Sequence, residues 1–309
     1  MRHSLALGLS TTLLAATGCS ALGDESADGV QVAAAFYPLE YVAARVAGEH
    51  AEVVALTTPG QEPHDLELTI SETADLARAD LVIYEADFQA AVDAAVEQNA
   101  TGEVLDAAAV VGLLPVADED HADEELHTAD DGHDHEGGLD PHFWLDPRRM
   151  ATLGDAVAEA LEEIDPDHAD DYTSNAAALR TDLEALDAGF EAGLADCERT
   201  TVVVSHDAFG YLTRYGLEFA PVAGLSPDAE PSPAGLRDLQ LLIADEGVTT
   251  VFSERLASPK LTQSLADDVG VTTAILDPIE GLSDETADED YLSLMEQNLT
   301  SLQEANACR

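Results

Sequence analysis

The chain is almost without lysine. Of its 309 residues, 12 are Lys or Arg against 63 Asp or Glu, for a formal net charge of −51, and Lys260 is the one lysine. Nucleic acid held through its phosphates needs a basic face, and a polybasic patch for anionic lipid needs the same. Both classes are excluded. Also missing after the first residues is any run of about 18 apolar residues, the length that spans a bilayer. There is no HExxH pair, no repeated carboxylate loop of the EF-hand type and no CxxC pair. A zincin protease, a calcium store and a thiolate metal cluster are therefore each without sequence support.

What is present points to a folded chain. Hydrophobic residues make up 46% and fall into short periodic runs, which sets the chain apart from a disordered polyanion. The length suggests two domains. The acid excess reads as a hydrated surface adapted to salt, where its self-repulsion is screened.

The first residues read as an address. Residues 1–18 combine Arg2 and His3 with an apolar stretch, Leu5 to Ala16, too short to span a membrane. Ala16-Thr17-Gly18-Cys19 follows, in the manner of a bacterial lipobox, so Cys19 is the expected lipidation site; an ordinary secretory signal is the alternative. Residues 19–29 are small, polar and acidic, as a tether to a membrane anchor would be. In an exported protein Cys197 and Cys308 are expected to pair, with two free thiols as the alternative. Such a bridge closes a loop of about 110 residues, for which the chain-entropy estimate is at most roughly 4–5 kcal/mol.

Strands and helices alternate along the rest. In residues 30–165, strands are expected at Val30–Ala35, Glu52–Leu56, Leu81–Tyr84 and Val104–Ala108, with helices after the first three. In residues 197–309 they are expected at Thr201–Ser205, Glu218–Val222, Thr249–Ser253 and Thr272–Leu276, with helices at Ala208–Tyr215, Pro233–Glu246, Pro259–Val269 and Glu289–Glu304. This alternation predicts an α/β fold of two lobes, each a mostly parallel sheet flanked by helices. Between them, Tyr172, Leu179, Leu183, Leu186, Phe190 and Leu194 recur at helical spacing. They predict one long rigid helix over residues 166–196 that joins the lobes.

Residues 117–140 stand apart, with eleven acids, no base and four histidines, His121, His127, His133 and His135. They read as an auxiliary metal-collecting loop. Three further histidines occupy telling places: His64 in PGQEPHDLE, His142 in LDPHFWLDP and His206 in VVVSHDAF. In parallel α/β sheets ligands gather beyond the carboxyl ends of the strands, where His64, His206 and also Asp277, in AILDPIEGL, are expected. Three neutral imidazoles and one carboxylate suit a tetrahedral Zn²⁺ site. Each imidazole needs a partner for its second nitrogen; Asp65, Asp140 and Asp207 are near in sequence, and Glu254 is a further candidate support. His50 and His168 read as isolated surface residues.

Together with SHDAFGYLTRYGL, GLSPDAEPSP and VFSE, these motifs resemble the zinc branch of the cluster A-I substrate-binding proteins of ABC importers, over residues 30–308. The resemblance implies two α/β lobes, a long linking helix and a metal in the cleft. It carries the ligands onto His64, His142, His206 and Asp277, with Glu62 as rival for the fourth. It also implies a membrane permease and its ATPase as partners, an extracytoplasmic location at the outer face of the membrane, and a monomer. Manganese-binding relatives have Glu where this chain has His206, which favours zinc. The alternatives are a manganese-selective protein of the same family, an adhesin or metal buffer using the same site, and a secreted zinc hydrolase. The last would need an open coordination position.

Overall fold

The computed structural model describes residues 29–116 and 138–309. The leader, Cys19 and most of the tether lie outside the described residues, as do His121, His127, His133 and His135.

The first lobe runs β1 (Val30–Ala34), α1 (Tyr37–Ala47), β2 (Ala51–Ala55), α2 (Ile70–Arg78), β3 (Leu81–Tyr84), α3 (Ala90–Asn99), β4 (Glu103–Asp106) and α4 (Ala107–Val111). Its strands form one parallel sheet in the order β2-β1-β3-β4. The central strand β3, LVIY, reads as a continuous apolar run rather than an alternating one, and β1, VQVAA, does so apart from Gln31. Helix α1 starts with Pro38 in its first turn and stops at Gly48, whose φ of 60° suits a residue without a Cβ. Helix α2 is capped by Thr69. The Thr69 hydroxyl accepts from Glu72 N–H while the Glu72 carboxylate accepts from Thr69 N–H, a reciprocal box. Two short strands, β5 (Leu114–Pro115) and β6 (Leu139–Asp140), then pair antiparallel on either side of residues 117–137.

Two helices follow, of which only the second is among the expected elements. Asp146 caps α5 (Pro147–Ile164) by accepting from Arg148 N–H, with Pro147 in the first turn. After a 3₁₀ turn at Pro166–His168 comes α6 (Ala169–Gly193), whose 25 residues make it shorter at both ends than the expected 166–196. Tyr172, Leu179, Leu183, Leu186 and Phe190 form its buried stripe. A Cβ on Gly154 would stand 3.1 Å from a Leu179 methyl, so that glycine lets α5 lie close to α6.

The second lobe repeats the plan with β7 (Thr201–Val204), β8 (Glu218–Pro221), α7 (Pro233–Asp245), β9 (Thr250–Ser253), α8 (Lys260–Val269), β10 (Thr272–Ile275) and α9 (Tyr291–Asn306). Its sheet is again parallel, in the order β10-β9-β7-β8. The helix expected at Ala208–Tyr215 is a 3₁₀ segment, Gly210–Tyr215. Cys197 and Cys308 form a disulfide that ties the chain after α9 to the start of the lobe.

The main hydrophobic core is continuous from β1 and α1 through α5 and α6 to Phe209, Leu276, Ile279 and Tyr291. A smaller core, including Val203, Ile243, Val251 and Leu265, fills the far side of the second sheet. The strands of both sheets end toward a cleft floored by that shared core.

Candidate metal centre

Four side chains from four separate chain segments meet in the cleft: His64, His142, His206 and Glu280. His64 sits on the loop from β2 to α2, where its N–H donates to Glu62 Oε1 at 3.2 Å and its ring stands edge-on to Phe88. His142 follows β6. Asp140 Oδ1 accepts both its backbone N–H, at 3.0 Å, and its Nδ1, at 2.8 Å. His206 follows β7, with Nδ1 2.9 Å from Glu254 Oε1 at the end of β9. In both rings the Nδ1 bond to a carboxylate turns Nε2 toward the shared centre, the orientation a metal-binding imidazole needs.

Glu280, on the loop after β10, brings Oε1 to 3.3 Å from His64 Nε2, 3.5 Å from His142 Nε2 and 3.4 Å from His206 Nε2. Ligand atoms about 2.0–2.1 Å from a tetrahedral ion stand roughly 3.3–3.4 Å apart, so these three spacings match three of the six edges of a zinc-sized tetrahedron, and all four ligand atoms lie within 4.8 Å of one another. His142 Nε2 and His206 Nε2 are buried with no hydrogen-bond partner, a costly arrangement that a cation satisfies. The His142 and His206 side chains are 0% exposed, Glu280 2% and His64 12%.

The electrostatics suit a cation. Burial opposes the charged form of His206, but the carboxylates of Glu254 and Glu280 outweigh it and push the imidazole up to about 10. His142 is raised in the same way, with Asp140 and Glu280 overcoming burial. Burial favours the neutral acid at Glu280, yet the three imidazoles hold it well below the usual carboxylate range.

Of the residues expected from sequence, His64, His142 and His206 come together; Asp277 does not join them. Its Oδ2 pairs with Arg255 Nε at 3.0 Å and its Oδ1 accepts Ile279 N–H at 2.9 Å, so both oxygens are committed away from the imidazoles. The place expected for Asp277 is taken by Glu280, three residues on. A second acid in LDPIEGL was the available signal. Glu62, the rival, also stays outside the group, its carboxylate accepting from the turn backbone that carries His64. Asp140 and Glu254 are the two orienting carboxylates. His50 and His168 are not isolated: their rings stack at 4.0 Å, with His50 Nε2 3.1 Å from Asp171 and His168 Nδ1 2.6 Å from Asp165.

Trp144 closes one wall. Its ring centroid lies 5.3 Å from that of His142, and its Nε1–H donates to Pro278 O at 2.7 Å. A Cβ on Gly210 would overlap the Asp140 carboxylate, so only glycine lets the 3₁₀ segment lie so near Asp140. Beside His64 opens a cavity of about 760 Å³, lined by Glu85, Asp87, Asp106 and, from the second lobe, Leu225 and Ser226. Glu85 is buried with neither carboxyl oxygen partnered, and burial together with Asp106 and Asp140 raises it well above the usual range.

Fold and site define a two-lobed protein with three imidazoles and one carboxylate gathered between its parallel sheets in an arrangement that could hold a metal ion. The chain belongs to the ZnuA family, described as zinc-uptake complex component A, periplasmic, whose profile matches residues 32–305. It is 34% identical to the zinc-binding lipoprotein AdcA of Streptococcus pneumoniae over 91% of this chain, and spans 56% of that relative's length. It is 31% identical to the high-affinity zinc uptake system protein ZnuA of Bacillus subtilis, over 95% of this chain and 93% of the relative. Among solved structures, Zn(II)-bound AdcA of Streptococcus pneumoniae superposes with a TM-score of 0.73 at 30% identity, over 90% of this chain and 58% of that one. The laminin-binding protein of Streptococcus agalactiae, described as having adhesin and metal-transporting activity, superposes at 0.78 with 26% identity, over 90% and 99%.

Proposed function

We propose that this protein captures Zn²⁺ outside the cytoplasm and delivers it to the permease of an ABC importer, which an ATPase drives. The observation that carries the reading is the set of Nε2–Oε1 spacings of 3.3 to 3.5 Å around Glu280. His64, His142, His206 and Glu280 are the ligands in this reading. Three nitrogens to one oxygen favour zinc over manganese, which prefers more oxygen. Four protein atoms fill a tetrahedral shell and leave no position for a reactive water, which argues for a carrier and against a hydrolase. Zinc is the cargo. Asp140 and Glu254 hold two imidazoles with Nε2 free, Trp144 walls off solvent, and the acidic cavity beside His64 is the route by which a hydrated cation enters. Release follows when docking at the permease separates the ligands.

The finer features belong to the same reading. Residues 1–18 direct export, Cys19 carries the lipid anchor, residues 117–140 gather zinc through their four histidines, and the protein works as a monomer with a surface suited to salt. Isothermal titration tests the central claim. The wild type is expected to bind one zinc tightly and to prefer it to Mn²⁺ in competition, and the triple variant His64→Ala, His142→Ala, His206→Ala is expected to lose that site. Tight 1:1 binding in the triple variant, or equal affinity for the two metals, overturns it.

A further inference from the structure

Glu280 reaches three imidazoles from a stretch without regular structure, so its position has to be set by its neighbours. Asp277 is the centre of that bracing. Asn298, on α9, clamps its backbone from both sides: Asp277 N–H donates to Asn298 Oδ1 at 2.9 Å, and Asn298 Nδ2–H donates to Asp277 O at 2.6 Å. The Asp277 carboxylate closes a turn onto Ile279 N–H and pairs with Arg255. Trp144 fixes the intervening Pro278 carbonyl. Ile279 itself stands at φ 59°, a region that a β-branched residue seldom occupies. Such a conformation persists only where surrounding contacts over-determine it. Here they do so one residue before Glu280.

Arg255 adds a second link. It follows Glu254, the residue that orients His206. One dipeptide at the end of β9 thus touches both ligand-bearing loops of the second lobe, His206 directly through Glu254 and the Glu280 loop through Arg255 and Asp277.

We propose that Asp277 and Arg255 are positioning residues that act on the metal through Glu280, holding its carboxylate at the apex of the three imidazoles without binding the ion themselves. The proposal rests on the reading of the site as a zinc trap. It assigns Asp277, the acid that ends the last strand of the lobe, a role different from that of a ligand. Removing an outer partner of this kind costs metal affinity about 10–100-fold.

The test is a double-mutant cycle on the full chain, read by zinc competition against a chromophoric chelator and by the visible bands of bound Co²⁺. Asp277→Ala is expected to weaken zinc binding within that range and to dim the tetrahedral Co²⁺ bands. Asp277→Asn, which keeps an acceptor for Ile279 N–H, is expected to recover part of the loss. In a Glu280→Ala background, Asp277→Ala is expected to cost less than about threefold further, because the group it positions is gone. The cycle of Arg255→Gln with Glu280→Ala is expected to give the same pattern, and it decides the matter if Asp277→Ala fails to fold. Equal losses with and without Glu280 overturn the proposal in favour of general support of the fold. A larger loss for Asp277→Ala than for Glu280→Ala, persisting in the double variant, makes Asp277 a ligand. A wild type without tight zinc binding overturns the reading of the site itself, and this proposal with it.

Discussion

In the second lobe both groups of the proposed metal site are buried and braced by hydrogen bonds, whereas in the first lobe one is so braced and the other lies at the edge of an open space. His206 and Glu280 are buried, one hydrogen-bonded to Glu254 and the other on a loop braced by Asp277, Asn298 and Trp144. On the first side, His142 is equally buried and is held by Asp140 at two points. His64 differs. Its side chain keeps 12% exposure, its Nε2 faces Glu280 across the cleft at 3.3 Å, and it borders the acidic cavity. The two sheets share a topology, so the asymmetry comes from the loops beyond the strand ends. In the proposed site His142, His206 and Glu280 make a buried cup with His64 at its open edge, so His64 is expected to join the ion last and leave it first.

The largest effect separates the cup from its closing ligand. His206→Ala is expected to weaken zinc binding by more than the roughly 100-fold that removal of an outer partner can cost, mainly by dismantling the cup. His64→Ala is expected to cost less at equilibrium and to act chiefly by speeding dissociation. Stopped-flow transfer to a chelator checks both, and equal losses with equal off-rates would erase the distinction.

Next come the orienting carboxylates. Glu254→Gln and Asp140→Asn are each expected to lower affinity about 10–100-fold with stoichiometry kept at one, by competition titration. No change in either variant would show that the ring orientations are held by packing alone.

The smallest effect per step is that of pH, and here the structure sharpens an expectation. Free imidazoles predict falling affinity only below about pH 6.5. With His206 pushed up to about 10 and His142 also raised, zinc must displace protons at neutral pH. Affinity should therefore rise with pH across the neutral range, about tenfold per pH unit for each proton displaced. Glu280, held well below its usual range, stays ionised and adds no slope there. The same raised imidazoles stabilise the metal-free fold fully below about pH 6.5, and that contribution is lost as pH rises toward 10. Without zinc, melting temperature should therefore fall with pH between those limits, while with saturating zinc, where folded and unfolded imidazoles alike are deprotonated, it should stay nearly flat; parallel slopes would contradict the assignment.

Much of this was legible in the sequence. The strand–helix alternation gives both sheets, because buried parallel strands leave short apolar runs such as TVVV and LVIY. His64 and His206 are legible because each follows an expected strand, and His142 because it stands in LDPHFWLDP just after the His-rich segment. Asp277 misled for the same reason: it ends its strand as the rule asks, but its fate depends on Arg255 and Asn298, which the chain brings to it only through tertiary packing. Glu280 reaches the site through a left-handed Ile279 that no local pattern announces. Helix α5 is legible too, since Asp146-Pro147 is a helix start of the usual kind. His50 and His168 looked unrelated because 118 positions separate residues that the fold stacks face to face.

Trp144 carries one further consequence. It is the only tryptophan in the chain, it is fully buried, and its ring lies against His142 while its indole N–H holds the Glu280 loop. The molecule therefore contains a single indole, which can be excited apart from the seven tyrosines, at the junction of its two halves. Its emission senses the charge on His142 and the seating of the opposite loop together, so occupancy can be followed in the unlabelled protein by light alone.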